Sequence, residues 1–163
     1  MRAVSISERS ELEAFVILEA RLADESDYEG WEALVHHEMH YWVPQGRADY
    51  DPATRLSYIN DNRPRLRTRI RQLRSGLRHA QTPASPMRRL LSNMEYATEG
   101  EGYAVTANFV LYEHAVQANN RLRIWAGRVT YGICRTDAGL RMHRKVVELV
   151  NGKDAMPSLA FLI

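Results

Sequence analysis

The chain has 163 residues, 45% of them hydrophobic and 26% charged, with a net charge of +2. That is enough for one compact globular domain, which at this size buries roughly 70% of its unfolded surface. A lone Cys134 excludes an internal disulfide framework and any cysteine-rich cluster or cysteine-built zinc site. No apolar run approaches the ~20 residues that cross a bilayer. Glu8, Arg9, Glu11 and Glu13 interrupt any secretory core at the start. These features point to a cytoplasmic protein that is not membrane-bound.

The first half reads as helical. Ser5-Ile6-Ser7-Glu8 has the form of a capping box, in which the serine oxygen and the glutamate carboxylate satisfy free amides at a helix start. Leu12, Phe15, Val16, Leu18, Glu19 and Leu22 then share one face at helical spacing, and the stretch from Asp24 to Asp27 ends the helix. A short second helix is predicted from Tyr28 to Val35, with Trp31, Leu34 and Val35 inward. Glu38 to Val43, rich in aromatic and β-branched residues, reads as a strand closed by Pro44-Gln45-Gly46.

Residues 47 to 61 are polar and read as a long loop. After Pro64 the apolar residues Leu66, Ile70, Leu73 and Leu77 make a helical stripe, with Gly76 near its end. Thr82-Pro83-Ala84-Ser85-Pro86 is a turn-rich connector. The period then changes. Arg88 to Thr98, Tyr103 to Gln117, Leu122 to Thr136 and Leu140 to Val150 read as four long strands. Glu99-Gly100-Glu101-Gly102, Asn119-Asn120 and Asp137-Ala138-Gly139 supply the hairpin turns. Tyr103, Val105, Ala107, Phe109 and Leu111 alternate with Ala104, Thr106, Asn108 and Tyr112, so one sheet face is the apolar one. Helices followed by an antiparallel meander imply a single α+β domain over residues 1–163, with the helices packed on one face of the sheet.

Arg63, Arg65, Arg67, Arg69, Arg71, Arg74 and Arg78 crowd one helix, and Arg88 and Arg89 follow. The run contains no aromatics for base stacking and no nucleic-acid motif, so nucleic acid is not the expected partner. Arginine forks bind carboxylates bidentately and are enriched at interfaces. Arg67, Arg71, Arg74 and Arg88 are therefore candidate subunit contacts. The tail from Ala155 to Ile163 carries no charged side chain. Left wet it would cost about 25 cal/mol per Å² of apolar surface, so it must pack on the sheet or on another subunit. Leu159 and Phe161 are the candidate contact residues there.

Arg69-Ile70-Arg71-Gln72-Leu73-Arg74-Ser75-Gly76, then Pro83 to Pro86, then Arg88-Arg89-Leu90-Leu91-Ser92-Asn93 resembles the central signature of aromatic-ring-hydroxylating dioxygenase β subunits. Asn108-Phe109-Val110-Leu111-Tyr112, Trp125-Ala126-Gly127-Arg128 and Arg144-Lys145-Val146-Val147 fit the strands of that family. Glu19-Ala20-Arg21-Leu22, Trp31-Glu32-Ala33-Leu34 and His40-Tyr41-Trp42-Val43-Pro44 fit upstream of it. His36-His37 and Leu77-Arg78-His79-Ala80 depart from the usual pattern. The resemblance implies a cone-shaped curved antiparallel sheet of the ketosteroid isomerase and scytalone dehydratase type. It also implies an assembly of three α and three β subunits. The α subunit would hold the Rieske [2Fe–2S] centre, the mononuclear iron and the substrate pocket, and reductase and ferredoxin would deliver electrons. This chain's own share is then structural, with no cofactor, metal or catalytic residue.

The residues themselves leave other chemistry to weigh. A Rieske centre takes two Cys and two His ligands, which Cys134 alone cannot supply. His36, Glu38 and His40 have the composition of a non-haem iron triad. On a regular strand, however, same-face neighbours lie nearly ~7 Å apart, which argues against convergence on one ion. Asp24, Asp27, Tyr41, Asn108 and His143 are the polar groups that a stand-alone cone-fold dehydratase or isomerase could use as acid or base. No spacing among them is diagnostic, and Asp24 and Asp27 also suit helix ends.

Overall fold

The structure, a computed structural model, describes residues 2–76 and 83–163. The expectations attached to Leu77, to Arg78, to the stretch from Leu77 to Ala80 and to Thr82 lie outside the described residues. Helix α1 spans Ile6–Asp24 and opens with the expected capping box: Ser5 Oγ accepts from the Glu8 N–H, and the Glu8 carboxylate accepts from the Ser5 N–H. Helix α2, Tyr28–Ala33, is capped by Asp27, whose carboxylate accepts from the Gly30 N–H. It stops two residues short of the predicted end because Val35 already pairs with Met142 as the first residue of strand β1, Val35–Pro44.

Strand β2, Ser57–Asn62, lies in all but its last residue within the segment, residues 47 to 61, read from sequence as loop. Among the described residues it is an edge strand bonded only to β1, and side chains complete it: Trp42 Nε1 donates to Ser57 Oγ at 2.8 Å, and the His40 ring meets Asn60 Oδ1 at 2.8 Å. Helix α3, Arg63–Arg74, follows at once, with Asn62 as its cap and a proline in its first turn. The meander is β3, Met87–Glu99; β4, Gly102–Ala115; β5, Arg121–Thr136; and β6, Gly139–Leu149. These bounds match the sequence expectation to within a few residues.

The six strands among the described residues form one curved sheet in the order β2-β1-β6-β5-β4-β3. All neighbours are antiparallel except β1 and β6, which run parallel. A parallel pair needs a long crossover, and here the rest of the domain supplies it. Leu12, Phe15 and Val16 of α1, Trp31 of α2, and Leu66, Ile70 and Leu73 of α3 pack over Tyr103, Val105, Ala107, Phe109 and Leu111, all buried. The helices therefore close the concave side of the sheet into a cone.

Gly127 marks the tightest backbone approach in the meander. A Cβ there would lie 2.0 Å from the Glu148 carbonyl oxygen across the β5–β6 ladder. Gly127→Ala must push two paired strands apart. It is expected to cost about 1–3 kcal/mol, as overpacking does, read as a lower urea midpoint with an unchanged m-value. Wild-type stability in this variant would show that the ladder yields freely.

Candidate functional site

The interior of the cone holds a charged pair. Three neighbouring strands place Tyr41, Lys145 and Tyr131 side by side in register. α1 brings Glu19 over them, from a position that otherwise belongs to its apolar stripe. Lys145 Nζ donates to Glu19 Oε1 at 2.6 Å, Trp31 Nε1 donates to the same oxygen at 2.8 Å, and the Tyr131 hydroxyl donates to Glu19 Oε2 at 3.1 Å. Glu19 is 0% exposed and Lys145 is 1% exposed. The ammonium also lies 5.7–5.9 Å from the ring centres of Tyr131, Tyr41 and Trp31, within the reach of cation–π attraction. Burial opposes ionisation of Glu19, yet the charges of Lys145 and Arg89 outweigh it and hold the carboxyl below its ordinary range.

A second pair joins α1 to β3. Arg89 of β3 donates to the Asp24 carboxylate through Nε at 2.6 Å and through its backbone N–H at 2.9 Å. Its Nη2 also holds the Leu162 carbonyl at 2.9 Å. The tail folds inward: Ala160, Phe161, Leu162 and Ile163 are all buried, and Phe161 sets its edge against Trp125 at 5.5 Å. The Tyr41 hydroxyl donates to the Ile163 backbone oxygen and accepts from the Ile163 N–H, both at 3.0 Å. What is left between Lys145, Tyr131 and Ile163 is a cavity of ≈ 10 Å³, room for about one water.

The candidate acid–base residues do not converge on that space. Asp24 is bound by Arg89, Asp27 caps α2, and Tyr41 is engaged by the tail. Asn108 is exposed on the opposite face of the sheet. His143 is half-buried on β6, where burial, Arg144 and His36 hold its pKa below 6.5. Cys134 is half-buried with its thiol on the Arg141 carbonyl, and the sequence has no second cysteine. The residues present therefore do not fit a Rieske cluster.

The sheet's outer face is different in kind. Leu90, Tyr112, Leu122 and Ile124 are exposed there at 59%, 41%, 63% and 63%. Tyr112 pairs with Arg88 on one side and Ile124 on the other, so they form a contiguous apolar array with an arginine in it. Such a patch marks a contact surface.

The family model described as the ring hydroxylating beta subunit matches residues 18–153. The chain belongs to that family. The small oxygenase component of the p-cumate 2,3-dioxygenase system of Pseudomonas putida is 32% identical over 142 residues, which cover 84% of this chain and 76% of that protein. Among solved structures, naphthalene 1,2-dioxygenase with indole bound in its active site superposes with a TM-score of 0.82 at 16% identity, covering 100% of this chain and 89% of that one. An NTF2-like protein with a cystatin-like fold from Novosphingobium aromaticivorans gives 0.61 at 17% identity, covering 90% and 84%. The α+β cone expected from the sequence is the fold of this β subunit.

Within the β-subunit fold the arginine-rich helix is partly self-satisfied. Arg69 binds Asp61 and Arg63 binds Glu32 at 2.9 Å, while Arg67 and Arg74 stand 3.8 and 3.9 Å from Glu32 and Glu29. Arg67, Arg71, Arg74 and Arg88 are all exposed. Leu159 is partly exposed, whereas Phe161 is 2% exposed and is covered by its own chain. Of the two packings open to the tail, the structure shows the one against its own sheet. Sequence reasoning passed over the Glu19–Lys145 and Asp24–Arg89 pairs. The signal available was a charged residue in phase with an apolar stripe, at Glu19 on the helix and at Lys145 in phase with Val147 and Leu149 on its strand.

No helix among the described residues is long and apolar enough to cross a membrane.

Proposed function

We propose that this chain is the structural, non-catalytic β subunit of a Rieske non-haem iron dioxygenase that dihydroxylates an aromatic ring in the catabolism of aromatic compounds. It acts as a single domain over residues 1–163, in the cytoplasm. Its partner is an α subunit that carries the [2Fe–2S] centre and the mononuclear iron, in an assembly of three α and three β chains supplied with electrons through reductase and ferredoxin. The observation that carries this reading is the family match across residues 18–153. Two features support the non-catalytic part of it: the space between Lys145, Tyr131 and Ile163 is only ≈ 10 Å³, and in the open groove of ≈ 370 Å³ between α1 and β3 the Asp24 carboxylate is already bound by Arg89. A stand-alone dehydratase or isomerase would need an unpaired base facing open volume, and no observation favours that arrangement.

The contact surfaces in this reading are the exposed arginines and the outer apolar face, with the α subunit as the principal occupant. Arg67, Arg71, Arg74 and Arg88 meet carboxylates across the interface, and Leu90, Tyr112, Leu122 and Ile124 bury against apolar groups. Leu159 lies at the rim of the tail, where it is open to a neighbour.

Co-expression with the α subunit tests this directly. The expected result is a stable complex of hexamer size, with ring-dihydroxylating activity that the β chain alone lacks. Reversing Arg71 and Arg74 to glutamate, or replacing Leu122 and Ile124 with aspartate, is expected to shift the complex toward free subunits in size-exclusion chromatography. An unchanged hexamer in both variants rejects these contacts. A chain that ignores the α subunit and turns over a small substrate alone rejects the β-subunit role.

A further inference from the structure

Strand β1 does not run regularly beside β6. Val35 pairs with Met142 and His40 with Arg144, so residues 36–39 of β1 stand opposite the single residue His143. β6 is irregular at the same place on its other side. There Ile133 pairs with Met142 and Gly132 with Arg144, which leaves His143 as an extra residue. Two bulges therefore meet across one ladder, and bulges re-aim side chains. A regular strand would hold same-face neighbours about 7 Å apart and send His37 to the other face. Here the ligand atoms of His36, His37 and Glu38 all lie within 4.8 Å of one another, and the two imidazole centres are 4.1 Å apart.

We propose that His36, His37 and Glu38 bind a divalent transition-metal ion of the zinc class, at a site with no part in the dioxygenase chemistry. Two imidazole nitrogens and one carboxylate suit zinc, cobalt or nickel better than magnesium or calcium, which take oxygen ligands. Zinc bonds of about 2.0–2.1 Å require the donors to close up by roughly an ångström. His37 and Glu38 are exposed, so their side chains are free to do so. The Glu38 N–H donates to His36 Nδ1 at 3.2 Å, a long bond that orients the ring and that a metal would displace. His40 stands apart from the cluster, with its Nε2 turned to Asn60 Oδ1.

The His143 ring lies against the bare backbone of Gly132, where a Cβ would come within 2.7 Å of it. The Arg144 guanidinium is itself held by the Glu99 carboxylate at 2.8 Å.

The test is titration of the full chain, free of any affinity tag, with Zn²⁺ alone and with Co²⁺ alone. Calorimetry is expected to give one saturable equivalent, and cobalt a visible d–d band. His37→Ala and Glu38→Gln, both at exposed positions, are each expected to weaken zinc binding by at least about tenfold with the circular dichroism spectrum unchanged. His114→Ala, on the outer face of the sheet, is expected to leave affinity as it was. Wild-type binding no tighter than that of the His36→Ala/His37→Ala double variant overturns the proposal, as does an equal loss in His114→Ala.

Discussion

Glu19→Gln is expected to lower folding stability by about 3–5 kcal/mol, because it leaves Lys145 as an uncompensated charge inside the cone. The loss is electrostatic rather than steric, since glutamine nearly matches the shape of glutamate and still accepts from Trp31. Removing both charges, as Glu19→Gln with Lys145→Met, is expected to recover most of the stability, because a buried pair and an apolar replacement are often near balance. Urea denaturation of the two single variants and the double variant gives the coupling energy. A double variant as weak as the sum of the singles would mean that the two residues act independently. The acid limb carries a second sign. Glu19 titrates in the folded chain below its ordinary 4.5, so its contribution is whole above that pH and is lost as pH falls through the folded value. The Glu19→Gln profile is therefore expected to be flatter in acid than that of the wild type.

Phe161→Ala is expected to cost about 3–5 kcal/mol, the range for emptying a buried aromatic site. Removing residues 160–163 altogether should go further. It strips the partner from both the Tyr41 hydroxyl and Arg89 Nη2, and it opens the space that those residues fill. The expected product either fails to fold or binds a hydrophobic dye with a broadened thermal transition. A truncated chain as stable as the wild type would mean that the tail covers the cone without supporting it. This experiment separates the two fates open to an apolar tail: one that packs on its own sheet matters to the isolated chain, and one that serves only a neighbour does not.

The parts of the fold legible in the sequence were those with one dominant period. The alternation from Tyr103 to Leu111 fixed which face of β4 is buried, and the Ser5–Glu8 box fixed where α1 begins. β2 was illegible because Ser57, Asn60, Asp61 and Asn62 are polar in composition. An edge strand of that kind is held by bonds to Trp42, His40 and Arg69, which are visible only once the partners are in place. The placement of the β1 histidines was illegible for a related reason. The argument against a metal assumed a regular strand, whereas the spacing at residues 36–39 is set by a mismatch with β6, about a hundred residues downstream. The arginine helix was legible as a charged surface, but composition alone did not divide it. Arg63 and Arg69 serve their own chain, and Arg71 faces outward.

The parallel pairing of β1 with β6 also bears on how the molecule comes off the ribosome. Val35 to Trp42 find their partners only when Met142 to Val146 have been made, so β1 spends most of synthesis with one edge unsatisfied. Contacts this distant in sequence slow folding, because the loop must close before the pairing stabilises anything. The nascent chain meanwhile carries Trp31, Tyr41 and Val43 without the later strands of the sheet beside them. Apolar surface exposed on an incomplete sheet is of the kind that favours aggregation until the final strand arrives.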